Sequence, residues 1–66
     1  MKVSVTCYSG YRGEETPQSI VINDRKISVR FVKYMWQTPE YRYFVISGDD
    51  GKTYRLRYDG LQWELV

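Results

Sequence analysis

The sequence predicts an all-β domain: a small, strongly bent antiparallel sheet or barrel of five to six strands. Three observations predict it. Apolar residues recur at every second position, turn-forming residues separate the apolar segments, and the alternation changes phase inside one long segment. No segment carries an apolar stripe at helical spacing. Residues 1–66 are therefore expected to form a single small β domain.

The strands are identified by alternating apolar and polar side chains, because successive side chains of a strand point to opposite faces. The apolar positions are Val3, Val5 and Cys7; Ile20 and Ile22; Ile27, Val29 and Phe31; Tyr43 and Val45; Tyr54, Leu56 and Tyr58; and Leu61, Trp63 and Leu65. A chain this short has a thin margin of stability, so its large side chains are expected to fill the core. Leu56 and Trp63 are predicted core residues.

Two hairpin turns are predicted from residues that tolerate positive φ. Asn23-Asp24 follows one apolar segment, and Gly48-Asp49-Asp50-Gly51 follows another. At the second turn, a loop of odd length without a bulge would place apolar side chains of one strand opposite charged side chains of the next, on the same face of the sheet. We therefore expect a loop of even length. The even loop gives these cross-strand pairs: Val45 with Leu56 and Tyr43 with Tyr58 on one face, and Phe44 with Arg57 and Ile46 with Arg55 on the other.

The long segment Ile27 to Trp36 changes phase. Its apolar residues hold odd positions up to Phe31 and even positions from Val32 onward, as Tyr34 and Trp36 show. A single flat strand cannot bury both sets, so we predict a β-bulge or sharp bend near Phe31-Val32. A strand that turns a corner in this way favours a barrel that is SH3-like or OB-like in architecture.

The composition excludes several classes of protein. Ten Lys and Arg residues against eight Asp and Glu give a formal net charge of +2, with no histidine and one cysteine. Zinc sites and histidine-based catalysis lack their usual residues. One cysteine cannot form an intramolecular disulfide, and no apolar run approaches membrane-spanning length, so we expect a cytoplasmic protein that binds no membrane.

The segment Cys7 to Pro17 is predicted to be a turn-rich loop and a candidate binding site, with Tyr8, Tyr11 and Arg12 as its contact residues. The Cys7 to Arg12 spacing is one residue short of the cysteine phosphatase loop, so Cys7 is interpreted as an apolar residue of the first strand. Gly10-Tyr11-Arg12-Gly13 matches the short Gly-x-x-Gly pattern of KH domains, but no helices flank it. The pairs Glu14-Glu15 and Asp49-Asp50 are interpreted as solvated turn residues.

Basic and aromatic residues are interleaved in the second half of the chain. With the even loop, Arg42, Phe44, Arg55 and Arg57 share one face of the sheet. Arginine beside aromatic rings is typical of a groove for single-stranded nucleic acid. A solvated face with no ligand is the alternative interpretation, because the net charge of +2 is modest.

The string Cys-Tyr-Ser-Gly-Tyr-Arg-Gly-Glu-Glu-Thr-Pro, residues 7–17, resembles the N-terminal motif of a family of very short bacterial cytoplasmic proteins of unknown function. The similarity continues through residues 29–36, 42–45, 50–54, 58–59 and 63–65. It implies a free-standing cytoplasmic domain. The carboxy-terminal half also resembles a small β domain of unknown function associated with translesion DNA polymerase accessory proteins. Neither resemblance implies catalytic residues.

These observations lead to one main functional hypothesis. We expect a non-enzymatic binding module with no cofactor and no metal, a monomer or weak homodimer, that favours nucleic acid through the Arg/aromatic face and the Tyr8–Thr16 loop. The alternative is a protein–protein interaction module that uses an exposed strand edge or an aromatic groove. An enzyme would have to draw its reactivity from Cys7, Tyr8, Tyr11 and Arg12.

Overall fold

The computed structural model describes residues 2–9 and 15–66, and for residues 2, 8, 9 and 15 it describes the backbone alone. The described chain contains six strands: β1 (Lys2–Ser9), β2 (Glu15–Ile22), β3 (Arg25–Gln37), β4 (Arg42–Gly48), β5 (Thr53–Tyr58) and β6 (Trp63–Leu65). No helix with the length and hydropathy to span a bilayer occurs in this part of the chain.

The strands form a closed antiparallel barrel in the order β1-β2-β3-β4-β5-β6. Each strand pairs with its neighbour in sequence, and the three-residue β6 closes the barrel by pairing Trp63 with Val3 of β1. The predicted all-β barrel of five to six strands is confirmed. Strand β1 reaches Ser9 and β2 begins at Glu15, so the loop predicted over residues 8–16 is shorter at both ends.

The core is built from large apolar side chains on the inner face of five strands. Its buried residues are Ile20, Ile27, Phe44, Ile46, Leu56 and Trp63. Half-buried Val3, Val5 and Cys7 of β1 pack against this cluster, as their alternation predicted. Leu61, predicted to continue the apolar alternation of β6, is instead 92% exposed in the turn before that strand.

The β2–β3 hairpin turns at the predicted residues. Ile22 pairs with Arg25, and the two residues between them, Asn23 and Asp24, have φ angles of 49° and 66°. Positive φ at both central positions defines the type I′ turn, whose twist matches that of paired strands. The sequence prediction for this turn is confirmed.

Strand β3 contains two bulges, where the sequence predicted one. Its register against β4 shifts between Val29 and Phe31 and again between Val32 and Tyr34. The first shift lies next to the predicted position near Phe31-Val32. Because a bulge adds one residue and sharpens the local twist, two bulges let β3 leave β2 after Ser28 and continue along β4.

The register predicted for the β4–β5 hairpin is wrong. Phe44 pairs with Leu56 and Ile46 with Tyr54 on the inner face, whereas Val45 pairs with Arg55 on the outer face. The structural reason is a loop of odd length, in which the Gly48 N–H donates to the Lys52 carbonyl at 2.8 Å. Gly51 has a φ of 81°, in the left-handed region. A left-handed glycine at the end of a three-residue hairpin loop forms a G1 bulge, which is the extra residue of this loop.

Side chains of the β4–β5 loop fix its conformation. The carboxylate of Asp50 accepts hydrogen bonds from the Lys52 N–H at 3.0 Å and from the Tyr54 hydroxyl. The hydrogen bond with Tyr54 lowers the pKa of the Asp50 carboxyl and raises the pKa of the Tyr54 hydroxyl. The Tyr54 ring is thereby held over the buried backbone of Gly48.

Gly48→Ala is expected to lower the free energy of unfolding by about 1–3 kcal/mol, the usual cost of overpacking. A Cβ at Gly48 would lie 2.7 Å from Asp50 Oδ1 and 2.8 Å from Ile27 Cγ2, closer than van der Waals contact allows. Urea unfolding followed by circular dichroism measures the loss. Ser47→Ala, at the adjacent outer position, is the control, and an equal effect of both variants would contradict this packing argument.

Candidate functional site

The outer side of the barrel over β3, β4 and β5 carries a concentration of exposed aromatic and basic side chains. Tyr34 is 69% exposed, Phe31 54% and Trp36 42%, although phenylalanine and tryptophan are usually mostly buried. We define the β3–β5 face by its outward residues: Arg30, Phe31, Lys33, Tyr34 and Trp36 of β3, Tyr43 and Val45 of β4, and Arg55 and Arg57 of β5.

The two bulges of β3 create this face. Arg30 and Lys33 are the extra residues of the two bulges, so Phe31 and Tyr34 face outward while Val29 and Val32 pack against the core. The Lys33 ammonium donates to Thr53 Oγ1 of β5 at 2.8 Å and therefore lies across the outer side of β4. Strand β3 carries four Lys and Arg residues and no Asp or Glu, which makes it strongly basic for a chain of net charge +2.

One cross-strand row of the face is a packed set of rings and charges. Trp36 stacks on Tyr43, with ring centroids 4.9 Å apart and planes 5° from parallel. Next in the row, the Arg57 guanidinium lies 3.3 Å from Glu64 and 4.5 Å above the Tyr41 ring. The hydrogen bond with Glu64 raises the pKa of Arg57. Glu64 offsets the charge of Arg57, so this arginine mainly orients the rings beside it.

The neighbouring row presents an uncompensated charge. Val45 pairs with Tyr34 on one side and with exposed Arg55 on the other. Among the side chains that the structure describes, those of residues 3–7 and 16–66, the only ion pair joins Arg57 to Glu64, so Arg55 has no carboxylate partner among them. Arg55 is thus available to an anionic ligand beside the exposed ring of Tyr34.

The structure brings together only some of the predicted site residues. Arg55 and Arg57 lie on the β3–β5 face, but Phe44 is 1% exposed and belongs to the core. The prediction that Phe44 is a contact residue is therefore wrong, because the odd loop turns its ring inward. Arg42 lies on the same side of β4 as Phe44, at the end of the barrel. Tyr11, Arg12 and the side chain of Tyr8 lie outside the described residues.

Sequence reasoning missed Tyr34, Trp36, Tyr41 and Tyr43 as site residues. The two residues on β3 were assigned to a second buried set, because one bulge would have turned them inward. The available signal was the placement of Arg30 and Lys33 directly before Phe31 and Tyr34. A basic residue at a bulge followed by an exposed ring is a surface pattern rather than a core pattern.

A polar cleft of about 320 Å³ opens at one end of the barrel, next to the β3–β5 face. It lies between the β3–β4 turn and the β5–β6 turn and is lined by Glu40, Tyr41, Arg42 and Asp59, among others. Asp59 accepts the backbone N–H groups of Leu61 and Gln62, both at 2.8 Å, and these bonds lower the pKa of its carboxyl. In the part of the chain that the structure describes, no group of His, Cys, Asp and Glu is arranged to hold a metal ion.

No family model, curated protein or solved structure matches this chain. The similarity of residues 7–17 to a family of very short bacterial proteins therefore stays a prediction, as does the likeness to the polymerase-associated β domain.

Proposed function

We propose that this barrel is a non-enzymatic module that binds single-stranded nucleic acid through its β3–β5 face. The observation that carries the proposal is the exposure of Tyr34 and Trp36 on the same face as Arg55, which has no described carboxylate partner. Proteins that bind single strands combine rings on which bases stack with cations that follow the phosphates. The single cysteine of the chain cannot form an intramolecular disulfide, which supports the proposal that this activity is cytoplasmic.

The spacing of the two rings favours a single strand over a duplex. Tyr34 and Trp36 are two residues apart on one strand, which places them about 7 Å apart. The bases of a duplex are stacked at about 3.4 Å per nucleotide, so two neighbouring bases cannot lie on both rings without unstacking from each other. An extended single strand meets this requirement without the cost of opening a duplex.

The alternative, a protein–protein interaction module, is supported by the edge of β3. Beyond Ser28, β3 has no described strand partner on the side facing β2. An open edge of this length could accept an extended peptide. However, the two bulges and the basic residues Arg30 and Lys33 are features that hinder strand addition. The nucleic-acid proposal is therefore the better supported of the two.

A titration of the labelled protein with oligothymidine, followed by amide correlation NMR, tests the proposal. We expect localised shifts at Lys33 to Trp36 and at Arg55, which weaken as salt rises from about 50 to about 200 mM. The Tyr8–Thr16 loop is read in the same spectra. Absence of shifts on this face at low salt would overturn the proposal and direct attention to protein partners at the β3 edge.

Arg55→Gln is expected to weaken binding at low salt and to reduce the slope of log Kd against log salt by about 0.7, the contribution of one phosphate contact on a single strand. The matched control is Arg25→Gln, which removes the same charge at a cavity beside the β2–β3 turn. Fluorescence anisotropy over a salt series measures both variants. Equal slopes for the two variants would mean that net charge, rather than this face, attracts the strand.

A further inference from the structure

The cleft at the end of the barrel has the size of a site for one small ring system. Its volume of about 320 Å³ lies at the lower end of the range found for ligand sites, roughly 300–1,000 Å³. It is polar, and Tyr41 and Tyr58 are among the residues that line it. The centroid of the Tyr41 ring lies 5.9 Å from that of Tyr43, so the cleft continues directly from the β3–β5 face.

Several polar groups of the cleft already have intramolecular hydrogen bonds. Asp59 accepts two backbone N–H groups of the β5–β6 turn. Thr38 Oγ1 accepts the Tyr41 N–H at 3.1 Å, and the Tyr58 hydroxyl donates to the Gly60 carbonyl at 2.9 Å. These bonds fix the two turns and shape the walls of the cleft.

Glu40 and Arg42 form no ion pair with each other or with any other described residue, although both line the cleft. Glu40 is exposed and Arg42 is half-buried. With Asp59, the charged lining sums to one negative charge. Such a lining repels a phosphate but suits a neutral group that offers hydrogen-bond donors to Glu40 and acceptors to Arg42.

We infer that this cleft binds a guanine base. The inference rests on the proposed function, because the base belongs to the single strand that the β3–β5 face binds. Guanine has two adjacent donors, N1–H and the N2 amino group, which a carboxylate accepts together. Its O6 and N7 atoms are the acceptors that arginine recognises. Adenine, cytosine and thymine lack the pair of adjacent donors, so Glu40 would select guanine.

The test uses free guanosine 5′-monophosphate on the labelled full chain at about 150 mM salt, where phosphate attraction is screened. We expect amide shifts in residues 37–42 and 58–60, weaker or absent with the adenosine, cytidine and uridine monophosphates. Glu40→Gln is expected to weaken guanosine monophosphate binding about tenfold or more. Asp24→Asn, which removes a carboxylate from the β2–β3 turn, should leave it unchanged.

Two outcomes would overturn the inference: no shifts in the cleft, or equal shifts with all four nucleotides. Neither outcome affects the proposed function, which is read separately from oligothymidine binding to the β3–β5 face. We also expect Glu40→Gln to bind oligothymidine like the unmodified protein, because that strand contains no guanine. Loss of oligothymidine binding in this variant would place Glu40 in the general site and contradict a guanine-specific role.

Discussion

Trp63→Ala is expected to lower the free energy of unfolding by about 3–5 kcal/mol, a large part of the total stability of a small domain. Trp63 is 7% exposed, and its ring lies 5.4 Å from Phe44 and 4.6 Å from Tyr58, measured between centroids. Its backbone also pairs with Val3 in the strand that closes the barrel. The substitution therefore removes core packing and side-chain support at the point of closure.

Urea unfolding monitored by far-ultraviolet circular dichroism measures this loss, and amide NMR dispersion shows whether the variant is folded at all. Leu56→Ala, at a fully buried position of β5, provides a second core variant with an expected loss of about 2–5 kcal/mol. Leu61→Ala is the control, since this neighbouring side chain is almost fully exposed. A loss of less than about 0.5 kcal/mol for Trp63→Ala, the range of surface substitutions, would show that the Trp63 side chain is not part of the core.

Local turn chemistry was enough to predict the β2–β3 hairpin. Asparagine and aspartate are among the few residue types that adopt positive φ at low cost. Their succession at Asn23 and Asp24 therefore predicts a short turn there. The segment after Ser47 is different, because Gly48 to Gly51 is compatible with both even and odd loops. Local sequence could not decide between them, and the one-residue difference reverses which face of β4 is inside.

The apolar pattern of β4 could not resolve that ambiguity. Tyr43 and Val45 are apolar on one face, and Phe44 and Ile46 are apolar on the other. Strand β5 has a clear inner face, since Leu56 alternates with Arg55 and Arg57. The apolar pattern thus identifies the inner face of β5 but not that of β4. Packing decides it: the observed register places Phe44 against Trp63, with ring centroids 5.4 Å apart, while Tyr43 stacks on Trp36 outside.

Predicting the candidate site also depended on a register shift of one residue, in this case within β3. A single bulge near Phe31-Val32 explains the change of phase and directs Tyr34 and Trp36 inward. The second bulge, at Lys33, turns both rings outward and leaves Val32 as the inner residue. The number of bulges follows from the twist needed to close the barrel, which is a property of all six strands and not of this segment.

Tyr34→Ala is expected to weaken the binding of oligothymidine about 5- to 150-fold at constant salt, corresponding to the 1–3 kcal/mol of one base–ring contact. The ring is 69% exposed, so its removal should have little effect on the free energy of unfolding. Trp36→Ala is expected to weaken binding by a similar factor. Its effect includes loss of the stack on Tyr43, so the stability of this variant must be measured as well.

The comparison of Tyr34→Ala with Tyr34→Phe separates stacking from hydrogen bonding. Phenylalanine keeps the ring face on which a base stacks and loses only the hydroxyl, so this variant should bind within a few-fold of the unmodified protein. The salt slope should be unchanged in both variants, because neither removes a phosphate contact, whereas Arg55→Gln lowers it. If Tyr34→Ala and Trp36→Ala both bind as tightly as the unmodified protein while Arg55→Gln binds more weakly, attraction to the face is electrostatic alone and the rings do not stack on bases.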